Sequence, residues 1–119
     1  MPVTLPVLAN YLQGKATAGR PVHYIDVTEH FHLPRPDVTW RRHILCGMFA
    51  QLDQEDANAN RPFRTAIVTR KDTNVPGKGF FVSLFNLRQI PIPETLPTKK
   101  GVHQNEMDAL VQYYRPTQP

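Results

Sequence analysis

The stretch from Thr65 to Phe85, TAIVTRKDTNVPGKGFFVSLF, constrains this chain more than any other. Two apolar runs, FRTAIVTR and FFVSLF, flank a basic loop punctuated by Pro76, Gly77 and Gly79. β-Branched and aromatic residues between turn residues predict two strands joined through KDTNVPGKG, a hairpin whose glycines supply positive φ and hold Lys78 at the tip. The same loop raises the question of phosphate binding, because glycine-rich loops cradle phosphates with backbone N–H groups. It lacks the P-loop spacing, and no following helix is predicted, so the glycines read as turn residues.

Upstream, Thr4 is placed to cap a short amphipathic helix whose first turn tolerates Pro6, with Leu5, Leu8, Tyr11 and Leu12 at helical spacing before GKATAGRP ends it. A turn at Gly19 to Pro21 leads into an extended piece, Val22 to Ile25. Asp26 with Glu29 then has capping-box spacing for a short helix over Val27 to Phe31. The prolines of LPRPD break the chain, and Asp37 is positioned to cap a third helix, Val38 to Leu52. On that helix Val38, Ile44, Leu45, Met48, Phe49 and Leu52 share a broad arc, the expected core face. Arg42, His43, Cys46, Gly47 and Ala50 occupy the opposite arc, small and basic enough for close approach of another body. DQEDANANRP reads as a polar connection. After the hairpin, residues 86–102 read as an extended connection carrying Pro91, Pro93 and Pro97, and residues 103–115 as a closing helix through Met107, Leu110, Val111 and Tyr114.

Helix, short strand, helix, helix and hairpin is the α+β order of a winged helix, here with a C-terminal helix added. Such a fold lays its third helix in a DNA groove and contacts an adjacent groove or backbone with its wing. Cations gather at both expected contact points. Arg64, Arg70, Lys71 and Lys78 fall on the hairpin, and Arg35, Arg41, Arg42 and His43 at the start of the third helix. Arg41 points into the apolar arc, where its stem can buttress the fold or its head can pair with Asp37. The nucleic-acid candidates are therefore Arg35, Arg42, His43, Arg70, Lys71 and Lys78. The whole-chain excess of 14 Lys and Arg over 10 Asp and Glu permits an anionic partner and stops well short of a histone-like charge.

From HYIDVTEHFHLPRPDVTWRRHILCGMFAQL through AIVTRKDTNVPGKGFF, roughly Leu5 to Phe85, the chain resembles small bacterial and phage winged-helix proteins. The layout is also similar to the C-terminal domain of alkylguanine DNA alkyltransferases and alkyltransferase-like proteins. Their Pro-Cys-His-Arg motif has no counterpart, since RTAIVTRKD occupies that region, so alkyl transfer is not implied. The resemblance implies a small DNA-binding protein, with RNA an alternative nucleic-acid partner. The second function class is a protein-binding winged helix, such as a phage inhibitor or adaptor that meets a host complex.

Other chemistry is thinly supported by the residues. Cys46 follows His43 by three positions, a spacing at which a thiolate pair can form, but no orienting group or oxyanion donors accompany it. His30 and His32 would share a face only in an extended segment, and a metal would need further ligands. The expectation is a non-enzymatic, metal-free protein without cofactor. A length of 119 residues with 40% hydrophobic content suits one domain, residues 1–119. A lone cysteine, the lack of a long apolar run and an N-terminus unlike a signal peptide place the expected location in the cytoplasm, without a membrane.

Overall fold

The computed structural model describes residues 3–34 and 43–115. Helix α1, Leu5–Ala18, begins where Thr4 Oγ1 accepts from the Val7 amide at 3.4 Å, has proline in its first turn and ends at Gly19 with φ 67°. Its buried stripe is Leu8, Ala9, Leu12 and Ala16. Strand β1 is only Val22–His23, followed directly by α2, Tyr24–His30. The helix starts three residues earlier than expected. His23, not Asp26, is the capping residue, and Asp26 sits three positions inside, where Oδ2 accepts from the His23 amide at 3.1 Å.

Helix α3 spans Ile44–Asn58, with His43 as its cap. The expected first turn, Val38 to Arg42, lies outside the described residues, as do Arg35 and Asp37. At its other end α3 continues through DQEDAN, which is helix and not connection. Leu45, Phe49, Leu52, Asp53 and Asp56 are its buried positions, whereas Ile44 of the expected core arc is 51% exposed.

FRTAIVTR departs most from its expected form in pairing. Arg64–Ile67 is a 3-10 turn and only Val68–Thr69 is a strand, β2. Residues Phe63 to Thr69 are all buried, and the 3-10 turn packs against α1 and α3. Strand β2 pairs with β1 in parallel, Val22 beside Val68 and His23 beside Thr69. FFVSLF is not a strand: it lies in α4, Lys78–Arg88, with Phe80, Phe81 and Leu84 buried at helical spacing. The two-stranded wing is thus absent, because the expected second arm is helical and the first finds its partner upstream. Packing of an apolar face overrides the strand preference of aromatic residues.

Helix α5, Leu96–Tyr114, begins well before residue 103 because Thr95 caps it, Oγ1 accepting from the Thr98 amide at 3.3 Å, and Pro97 fits the first turn. Its buried side chains are His103, Glu106, Met107 and Leu110, and it packs on α1 and the 3-10 turn. The class is therefore mostly helical α+β, five helices and a small parallel sheet among the described residues. The core gathers Leu8, Leu12, Leu52, Phe63, Ile67 and Leu110 around the buried central segment. No helix among the described residues is long and apolar enough to cross a membrane.

Candidate nucleic-acid interface

The loop from Arg70 to Gly77 links β2 to the start of α4. It is closed by the Asn74 amide donating to the Arg70 carbonyl and the Arg70 amide donating to the Val75 carbonyl, each at 2.8 Å. Its left-handed residue is Asn74, φ 59°, a conformation asparagine tolerates. Neither Gly77 nor Gly79 has the positive φ expected of it: Gly77 has φ −71° and caps α4, and Gly79 lies inside the helix. The Gly77 amide donates to the Tyr24 hydroxyl at 2.9 Å, which ties the loop to α2. Burial pushes that hydroxyl's pKa up to about 12, so it stays a neutral partner.

A helix therefore does follow VPGKG, although P-loop spacing is still lacking. The N-terminus of α4 has no side-chain cap and no acidic residue in its first turn, and exposed Lys78 is its first residue. The amides at such an end carry partial positive charge. Lys71 is exposed on the loop, and neither lysine has an ion-pair partner among the described residues. Arg70 shares its guanidinium with Asp72 in a fork at 3.1 and 2.9 Å, an exposed pair that a stronger anion can compete for.

The other expected contacts are placed differently. Arg35 and Arg42 lie outside the described residues. His43 uses both ring nitrogens within the fold: Nδ1 accepts from the Leu45 amide at 3.1 Å and Nε2 donates to the Pro34 carbonyl at 2.6 Å. It fixes the entry to α3, which also removes the imidazole from any pair with Cys46. Arg64, expected on a wing, is 5% exposed. His30 stacks near Tyr11, centroids 4.4 Å apart, and no group of three or more metal-capable side chains gathers among the described residues.

Arg64 belongs to a buried polar layer that the sequence did not announce. Asp56 accepts from the Arg64 amide at 2.9 Å and from the Nε groups of Arg61 and Arg64 at 3.0 Å each. Arg64 Nη2 lies 3.0 Å from Asp56 and 3.5 Å from Glu55 without an aligned hydrogen bond, so those contacts are ionic. Glu106 accepts from the Phe63 amide at 2.7 Å and from Arg88 at 2.9 Å, while Arg88 also donates to the Arg61 carbonyl and lies over the Phe63 ring. Asp53 differs because its hydrogen-bond partners are the hydroxyls of Thr65 and Ser83. Burial raises its pKa to about 7, those hydrogen bonds oppose the rise, and the nearby Asp56 and Glu106 add to it. The available signal was spacing: Asp53 and Asp56 continue the face of Leu45, Phe49 and Leu52. The layer joins α3, α5 and the segment between them.

Beside the loop, a groove of about 390 Å³ runs along α5. Pro21, Val75 and Met107 form its apolar part, and Asn74, Lys100, His103 and Gln104 its polar part. His103 Nε2 donates to the Ala66 carbonyl at 2.8 Å, which fixes the tautomer and leaves Nδ1 an acceptor. Burial lowers the His103 pKa, so the ring is neutral at pH 7 even though the Ala66 bond and Glu106 favour its cation.

Compared with known proteins, the chain matches no family model, no characterised protein and no solved structure at a significant level.

Proposed function

We propose that this is a non-catalytic nucleic-acid-binding protein that grips the phosphate backbone with the Arg70–Lys78 loop and the N-terminus of α4. The carrying observation is the start of α4, which no side chain caps and where the Lys78 and Gly79 amides coincide with the Lys78 side chain beside the Lys71 loop. Helix N-termini and lysines are complementary to phosphate for the same electrostatic reason, and together they favour a backbone contact over base readout. The contact differs from that of a winged helix, since a loop and helix start replace the wing.

The test is a fluorescence titration of the full chain with labelled duplex and single-stranded oligonucleotides at two salt concentrations. Replacing Lys71 or Lys78 by alanine should weaken binding to all sequences alike and reduce the salt slope by roughly 1 each. A wild-type protein that binds no oligonucleotide at low salt overturns the proposal.

A second function, recognition of a protein complex, is favoured by Ile44 and Phe85, 51% and 49% exposed on the packed pair α3 and α4. Such a partner would bind with little salt dependence and be weakened by Phe85→Ala, with Lys71 and Lys78 immaterial.

A further inference from the structure

We infer that the groove between α5 and the β2–α4 loop receives a single unpaired nucleotide, its base against Pro21, Val75 and Met107 and its phosphate on Lys100. This rests on the proposed nucleic-acid binding and adds a second contact to it, from the same loop. The loop itself makes the connection: Asn74 and Val75 line the groove, and three residues further on Lys78 begins α4.

The groove's chemistry selects the ligand. Its volume, about 390 Å³, is at the lower end of small-ligand sites, ~300–1,000 Å³, so it suits a compact group and not a folded partner. Lys100 is the sole Lys or Arg among its lining residues, and no carboxylate lines it. Lys100 is exposed and has no ion pair among the described residues, so its charge is available to an anion.

The remaining polar groups supply both acceptors and donors, the Asn74 side-chain amide carrying one of each kind. His103 lines the groove with Nε2 committed to Ala66, and its Nδ1, not among the buried unpartnered atoms, is left as a neutral acceptor. Gln104 Nε2 donates to Asp108 Oδ1 at 2.8 Å, which leaves its amide oxygen as the second acceptor and its other N–H as a donor. A ligand that satisfies this set has a compact apolar body, donors and acceptors at its edge and a negative charge beyond it. A nucleotide has all three, whereas inorganic phosphate would leave the apolar wall and both acceptors unused. The interior of a paired duplex withholds the base edge, so the occupant is an unpaired nucleotide.

The experiment follows the methyl signals of Met107 and Val75 and the imidazole signals of His103 by NMR in the intact protein while AMP is added, with inorganic phosphate as the comparison. AMP should shift all three, and phosphate should not. Lys100→Ala, a surface change that leaves the core untouched, should weaken binding of a duplex carrying an unpaired end roughly tenfold while leaving blunt-duplex binding nearly unchanged. Silence of the groove signals at millimolar AMP, or equal shifts with phosphate alone, overturns the groove assignment. If oligonucleotides still bind with a steep salt dependence in that case, the α4 contact stands and the groove alone is lost. Absence of any oligonucleotide binding at low salt removes both.

Discussion

Replacing Asp53 by asparagine should make the protein less sensitive to rising pH and more stable at alkaline pH. Asp53 is 2% exposed, and Thr65 Oγ1 donates to its Oδ1 at 2.6 Å. Asparagine keeps an oxygen for Thr65 and can turn its amide to Ser83, so the substitution changes charge more than shape. The folded-state pKa is about 7 against 3.8 for a free aspartate. The folded protein therefore binds the extra proton between those values, and the stability this provides is complete below about pH 3.8 and lost as pH rises to about 7. From pH 5 to 8 the loss covers the interval from 5 to about 7, at about 1.4 kcal/mol per pH unit, or about 3 kcal/mol in all. His103 slopes the other way: its lowered pKa means that stability is lost as pH falls below the usual histidine range. That contribution is common to both proteins and cancels in their difference. Urea unfolding of wild type and Asp53→Asn, followed by far-ultraviolet circular dichroism at pH 5 and 8, measures it. The stability difference should move by about 3 kcal/mol in favour of the variant between the two pH values. An equal difference at both would mean that Asp53 titrates as an ordinary carboxylate, and the raised pKa would be refuted.

Asp56→Ala removes the shared partner of Arg61 and Arg64 and leaves the buried Arg64 guanidinium without its closest anion, so denaturant unfolding should report a loss of about 3–5 kcal/mol. Leu45→Ala, at a fully buried position on α3, should cost about 2–5 kcal/mol, whereas Gln51→Ala on the exposed side of the same helix should be nearly neutral; equal melting temperatures would contradict this helix orientation. Gln89 ends α4 at φ 58°, so Gln89→Gly should raise stability by about 0.5–1 kcal/mol in the same unfolding assay. Cys46→Ser should retain both fold and oligonucleotide binding, because the neighbouring imidazole is already engaged by Leu45 and Pro34; a folded variant that has lost binding would give the thiol a role.

What the sequence disclosed and what it hid divide along the range of the forces involved. Thr4 and Pro6 act within one turn of chain, and α1 begins where they place it; it ends only at Gly19, because residues 14–18 of the GKATAGRP stretch expected to end it are helical and bury Ala16. Periodicity likewise identifies the Leu45, Phe49 and Leu52 face, because a helix repeats its own geometry. FFVSLF was misread for the complementary reason. A run of apolar residues satisfies both strand and helix patterns, and the choice is made by what covers it. Here Phe80, Phe81 and Leu84 are covered by packing within the fold, and the partner of Val68 is Val22, far upstream, so local signals carried neither fact.

Charge was the least transparent signal, because a formal charge does not reveal whether its side chain is buried or exposed. Arg64, Arg70, Lys71 and Lys78 look alike as a basic cluster, yet Arg64 is spent on Asp56, Arg70 is shared with Asp72, and only the lysines are left unpaired. The acids that neutralise the buried arginines lie in two segments, DQEDAN on α3 and the middle of α5. The same division explains why the candidate interface shrank to one loop and gained a helix start. Interior acids neutralise the cations that reach the core, and the cations held away from it on Arg70–Lys78 remain available to an external phosphate. His43 is removed from the candidate set by the opposite route: the nearby Leu45 amide and the carbonyl of Pro34, nine residues upstream, engage both nitrogens, so a residue placed for capping has no polar edge left for a base.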